Sequence, residues 1–163
     1  DNGPIQVSAK SVQEHKWKKI KWPNKLYMEV IFTQKEVSTK SMIEQYMIVK
    51  KDDSIQELIS NLIKITEKIS YYWLSQDVTN IISSLYQYDL VMRKMDNLAK
   101  LNIFSSIHNE IYELAKKYNV FYKPSGAGSS DIGIAFSESL DDMSKFLQSI
   151  KQSSSNAVII RVS

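Results

Sequence analysis

Helical periodicity runs almost without interruption through the middle of this chain, which confines it to folds in which several helices pack on one another or on a sheet. Between residues 53 and 73, Ile55, Leu58, Ile59, Leu62, Ile69, Tyr72 and Trp73 follow the i, i+3, i+4, i+7 rhythm of one buried helix face. Val78, Ile81, Ile82, Leu85, Tyr88, Met92, Met95 and Ala99 repeat the pattern. Ile107, Ile111, Leu114 and Tyr118 make a shorter third stretch behind Ser105 or Ser106 as its cap. A further set, Met42, Ile43, Tyr46 and Met47, has helical spacing behind Ser38 or Thr39. Either of these residues can serve as N-cap, leaving backbone N–H groups and a positive dipole end that can face an anion. The Met and Tyr stripes at this spacing are core packing.

Segments of strand character flank the helices. Residues 26–33 (Leu26, Tyr27, Met28, Glu29, Val30, Ile31, Phe32, Thr33) are rich in strand-forming side chains. Near the other end, residues 120–123 read as a short strand, 124–130 as a glycine-rich turn and 132–136 as a second strand. Leu140, Met143, Phe146, Leu147 and Ile150 then mark an amphipathic helix, and 157–162 a terminal strand. Strands at both ends with helices between them describe an α+β domain, an antiparallel sheet covered on one face by helices. The final strand, loop, strand, helix, strand order fits a ferredoxin-like arrangement. With 163 residues and 43% hydrophobic content the chain can bury one sizeable core, so a single domain is expected over 26–163. Residues 1–25 form an N-terminal extension, linker or edge strand.

Composition excludes several classes of function. A net charge of +3 is too slight to imply nucleic acid or an acidic membrane as partner. Lys16, Lys18, Lys19 and Lys21 do interleave with Trp17 and Trp22, a pattern that can grip single-stranded nucleic acid. Lysines on a sheet edge also block unwanted pairing, and that structural role is the one expected here. The absence of cysteine removes disulfides, thiolate metal sites and cysteine nucleophiles, and is compatible with a reducing cytoplasm. The two histidines, His15 and His108, are not spaced as a metal pair, so structural or solvated roles are expected of both. No run approaches the ~20 apolar residues of a membrane span.

One segment carries chemistry. Residues 123–136 hold three of the four glycines in the chain. Gly126 and Gly128 allow positive φ and close approach of main-chain N–H groups to a ligand, a common way to receive phosphate oxygens. Ser125, Ser129 and Ser130 add hydroxyl donors, and Asp131 is placed to orient a donor or a metal-bound water. The segment is not a P-loop, since no Gly-Lys-Ser/Thr follows, nor a dinucleotide fingerprint, since a strand and not a helix comes next.

These residues resemble the third motif of the GHMP kinases, whose phosphomevalonate kinase version reads K-x-S-G-A-G-G-G-D-C-G-I-A. Lys123, Ser125, Gly126, Ala127, Gly128, Asp131, Gly133, Ile134 and Ala135 match it, while Ser129 and Ser130 replace glycines and Ile132 replaces cysteine. Mevalonate kinases usually carry a further glycine where Asp131 stands, so the resemblance leans to phosphomevalonate kinases. A weaker likeness links residues 30–43 to the G-W-T-G-x-x-A-S-T-x-x-L-V segment of that family. Thr33, Ser38 and Thr39 are kept there, and Ile31 and Phe32 depart from the usual Gly-Trp.

The resemblance implies a GHMP-kinase C-terminal domain. Its phosphate or nucleotide loop would be Ser125, Gly126, Ala127, Gly128, Ser129, Ser130 and Asp131, and Lys123, Ser38 and Thr39 would contact the substrate. It implies ATP and Mg²⁺ as cofactors, a phosphorylated small molecule as substrate and a place in the cytoplasmic mevalonate (isoprenoid) pathway. The family's nucleotide-cradling motif and its catalytic aspartate and lysine belong to an N-terminal domain without counterpart in this sequence. That domain, in cis or in trans, is therefore the expected partner, no catalytic residue is assigned to this chain, and the isolated chain is expected to be inactive. Two alternatives accompany this expectation: a non-catalytic ligand-binding or regulatory module derived from such a kinase, and half of a related enzyme such as a mevalonate kinase.

Overall fold

A computed structural model of the chain describes residues 5–6, 18–33, 39–125, 132–153 and 158–160. Its elements run in the order β1 (Ile5–Gln6), β2 (Lys18–Lys19), β3 (Tyr27–Phe32), α1 (Thr39–Val49), α2 (Asp53–Leu74), α3 (Val78–Ala99), α4 (Ser106–Lys117), β4 (Phe121–Ser125), β5 (Ile132–Ser137), α5 (Leu140–Gln152) and β6 (Val158–Ile160).

Side-chain caps set the ends of the long helices. The Asp52 carboxylate accepts from the backbone N–H of Ser54 and Ile55 and opens α2. Asp77 accepts from Asn80 N and opens α3, with Gln76 in the left-handed region at φ 62° making the tight turn between the two helices. Helix α3 stops where Lys100 and Asn102 adopt positive φ. The Asp96 carboxylate holds the chain that follows, accepting from Ile103 N at 2.9 Å and Phe104 N at 3.1 Å. Ser105 occupies the N-cap position of α4 but its side chain makes no capping bond. Ser139 caps α5 through Asp142 N, and the acidic first turn (Asp141, Asp142) and Lys151 in the last turn suit the helix dipole.

Four strands form one sheet in the order β4-β5-β3-β6, every pairing antiparallel. With α1, α2 and α3 set aside as insertions, β3, α4, β4, β5, α5 and β6 give the ferredoxin-like order. Helices α4 and α5 cover one face. There Ile31, Tyr122 and Ala135 from the strands pack with Ile111 and Ala115 of α4 and Met143, Phe146, Leu147 and Ile150 of α5. A second apolar cluster lies among the helices themselves, built on Ile55, Leu62, Met95, Ala99, Leu101 and Ile103, with Met42 and Tyr46 of α1 against it. On the opposite face of the sheet Tyr86 of α3 meets Phe121 of the edge strand β4 edge-on, ring centroids 5.0 Å apart.

Ahead of the sheet, β1 and β2 pair as a separate two-stranded ladder. Trp22 packs edge-to-face on Trp73 at 4.9 Å and donates its indole N–H to Leu26 O, while Trp73 donates to Lys21 O. The Trp22 ring is thus engaged within the protein, and Trp17 lies outside the described residues.

Candidate active site at one end of the sheet

Strand register brings the two segments singled out by sequence to the same end of the sheet. Ser125, the last residue of β4, stands opposite Ile132, the first of β5, and Ile132 stands opposite Phe32, the last of β3. The chain leaving β4 toward Gly126 and the chain leaving β3 toward α1 therefore depart from the same edge, about 10 Å apart across one intervening strand. Thr39, the first residue of α1, comes seven residues after Phe32 along the chain. Ser38, Gly126, Ala127, Gly128, Ser129, Ser130 and Asp131 lie outside the described residues.

Lys123 and Ser125, the motif residues ahead of the loop, share a face of β4 by strand alternation. It is the face opposite Tyr122, toward α3. Strand β4 runs two residues further than the sequence pattern predicts, taking in Pro124 and Ser125. Position explains this: β4 is the outer strand of the sheet, where a residue without an N–H is tolerated. Lys123 is largely buried; its ammonium donates to the Pro124 carbonyl at 2.7 Å and lies 6.0 Å from the centre of the Tyr88 ring. Burial pushes its pKa down from the ordinary lysine value, and the negative charge of Asp89 works against that shift.

Asp89 was not singled out in the sequence. It sits on α3 with 1% of its surface exposed, held by Arg93 Nε at 2.8 Å. Burial raises its pKa, opposed first by Arg93 and then by Lys123. Arg93 in turn lies between the rings of Phe104 and Tyr112, 4.1 Å from each centroid, and donates to Asn109 Oδ1. A signal was present. Asp89 is four residues after Leu85 and three before Met92, squarely on the apolar stripe of α3, and Arg93 is one of only two arginines in the chain.

Gly133 has a packing role distinct from any loop. A Cβ there would lie 2.0 Å from the hydroxyl oxygen of Tyr122 and 2.3 Å from its Cζ. The Tyr122 ring occupies the space a side chain would fill, and its hydroxyl is fixed by a 2.8 Å hydrogen bond to His108 Nδ1. His108, 1% exposed, is structural as expected; His15 lies outside the described residues. Among the described residues no three acidic or histidine side chains converge as a metal site, and no helix is long and apolar enough to cross a membrane.

No protein-family model matches the chain, and no curated protein matches it in sequence. Solved structures do. A Lin0012 protein from Listeria innocua shares the fold with a TM-score of 0.82 at 21% identity over 90% of this chain. The mevalonate kinase of L. major, solved with R-mevalonate, gives 0.78 at 18% identity over 96%. The phosphomevalonate kinase of Streptococcus pneumoniae, solved with phosphomevalonate and AMPPNP, gives 0.71 at 16% identity over 90%. The chain spans only 41%, 47% and 41% of those three proteins, respectively, so its fold corresponds to a part of a larger molecule in each. Two of these three proteins are kinases by name, a mevalonate kinase and a phosphomevalonate kinase, and what the chain shares with all three is the fold.

Proposed function

We propose that this chain is the substrate-side half of a GHMP-type small-molecule kinase, of the phosphomevalonate kinase kind, moving the γ-phosphoryl group of ATP to the phosphate of 5-phosphomevalonate. The observation that carries the proposal is the position of the glycine motif. It joins β4 to β5 at the sheet end where the segment opening α1 also departs, and Lys123 and Ser125 share a face beside it. Phosphoryl transfer asks little covalent chemistry of a protein and a great deal of positioning and charge neutralisation. In this proposal the main-chain N–H groups of 126–130 and the hydroxyls of Ser125, Ser129 and Ser130 receive phosphate oxygens. Lys123 supplies positive charge, Ser38 and Thr39 hold the substrate at the N-terminus of α1, and Asp131 orients a metal-bound water. Mg²⁺ would travel on the nucleotide phosphates, and the remainder of its shell, with the catalytic base, would come from an N-terminal kinase domain in cis or in trans.

A turnover assay separates this from its alternatives. The chain is tested alone and co-expressed with the N-terminal half of the Streptococcus pneumoniae phosphomevalonate kinase, with ATP, Mg²⁺ and either 5-phosphomevalonate or R-mevalonate. Turnover of 5-phosphomevalonate only in the combination is expected. Robust turnover by the chain alone contradicts the need for a second half, and turnover of R-mevalonate instead reassigns the acceptor. Binding of 5-phosphomevalonate without turnover in any combination favours a non-catalytic module.

A further inference from the structure

The charges of the chain nearly balance as a whole but not locally. Along its second half α2 turns outward the face opposite its buried stripe, where Ile63, Tyr71 and Leu74 are 55%, 68% and 52% exposed. With 3.6 residues per turn, these three fall within about 80° of one another around the helix axis. Lys64 and Lys68 border them on the same side, and both are exposed. Asp53 and Glu57 stand in the first half of the helix, so from Ile63 onward two lysines face a single acidic residue, Glu67. The chain ahead of β3 adds to this excess. Trp73 packs on Trp22 and donates to Lys21 O, while Gln76 donates to Lys21 O and accepts from Asn24 N, which fastens residues 21–24 to the end of α2. Exposed Lys19, Lys21 and Lys25 are thereby brought to the end of the helix that carries Tyr71 and Leu74. Past the turn, the acidic side chains are engaged, Asp77 with Asn80 as the cap of α3 and Glu138 with Thr79.

We infer that this outer face of α2, with the lysines beside its end, is a docking surface for an anionic lipid bilayer. The partner that fits is one with apolar depth beneath a negatively charged plane. Tyr71 and Leu74 enter the boundary between headgroups and acyl chains, and the lysines stay at the level of the charged headgroups. A phenol suits that boundary because its body is apolar and its tip polar. Shape selects the bilayer over an acidic peptide or a nucleic acid. The outer face of a helix is convex and offers no groove for an extended peptide, whereas a fluid surface conforms to it. Trp22 and Trp73, the rings best suited to stack on bases, are packed on each other. The surface lies on a different element from the sheet end proposed to take phosphate and does not depend on that proposal.

The test is sedimentation of the full chain with vesicles of phosphatidylcholine alone and of phosphatidylcholine with phosphatidylserine as the minor component, at low and at high salt. Binding to the mixed vesicles at low salt is expected, lost at high salt and absent without phosphatidylserine. Lys64→Gln combined with Lys68→Gln should weaken binding by about fivefold for each lysine removed. Tyr71→Ser combined with Leu74→Ser should weaken it by about tenfold or more, since the apolar anchors are lost. All four side chains are at the surface, so circular dichroism should be unchanged in both variants. Lys117→Gln combined with Lys151→Gln removes the same charge from exposed positions on α4 and α5 and should bind as wild type does. No binding to the mixed vesicles, equal binding to both kinds, or an equal loss in the α4 and α5 variant overturns the inference. So does binding that both α2 variants leave intact. Binding of oligothymidylate or polyglutamate in place of the vesicles, lost in the same α2 variants, reassigns the surface to a nucleic acid or an acidic protein and likewise overturns it.

Discussion

Gly133 and the Asp89–Arg93 pair are the residues where a single change tells most. At Gly133 the neighbour in the way is the end of a tyrosine side chain, which at a surface could swing aside. Tyr122 cannot, because it is fully buried and its hydroxyl is bonded to buried His108. Gly133→Ala should therefore destabilise the protein by about 3 kcal/mol in denaturant unfolding. Most of that loss should disappear when Tyr122→Leu is added, since the two changes share one space. Arg93→Ala should cost about 3–5 kcal/mol at neutral pH, because it strands the Asp89 carboxylate in the core. The pH dependence has a definite sign. The folded-state pKa of Asp89 lies above the ordinary aspartate value, so its charge is a cost present in full above that folded pKa and relieved as pH falls through it. The penalty of Arg93→Ala should accordingly shrink on acidification, and a penalty that grows instead contradicts the account. The glycine of the motif was legible in the sequence, but not its purpose, because the ring that excludes a side chain comes from the neighbouring strand. Asp89 was hidden for the opposite reason, being one polar residue within an apolar stripe read for its periodicity.

At the scale of elements, the periodicities of α2, α3, α4 and α5 located those helices almost to the residue, since each carries both an apolar stripe and a polar residue at its start. Strand β3 was equally plain from its branched and aromatic content. Two things were not legible. One was the end of β4, where proline looks like a turn unless the strand is known to be at the sheet edge. The other was the descent from α3 to α4, where an aspartate near a helix end gives no sign that it will turn inward. Asp96 does so, and its carboxylate receives two backbone N–H groups in a buried connection. Asp96→Ala should cost about 1–3 kcal/mol, the penalty for leaving such donors unpaired. Amide exchange should accelerate at Ile103 and Phe104 more than in the middle of α3; uniform acceleration would deny Asp96 this local role.

The whole molecule is a ferredoxin-like sheet with two helices on one face, to which an α1–α2–α3 layer is added between the first and second sheet strands. That layer brings α3 against the edge strand β4, where Tyr86 meets Phe121. Overall topology was readable because strand-rich ends and a helical middle admit few arrangements, and the motif resemblance named the same one. The neighbouring proteins extend well beyond the part this chain matches, spanning more than twice its aligned length. The central claim is that the sheet end where the chain leaves β3 and β4 receives a phosphorylated small molecule. Backbone amide NMR of the chain titrated with 5-phosphomevalonate tests it directly. The account predicts saturable shifts concentrated at Lys123, Ser125, Gly126 to Asp131, Ser38 and Thr39, weakened in Lys123→Met. Shifts confined to other surfaces, or none at millimolar ligand, would contradict it.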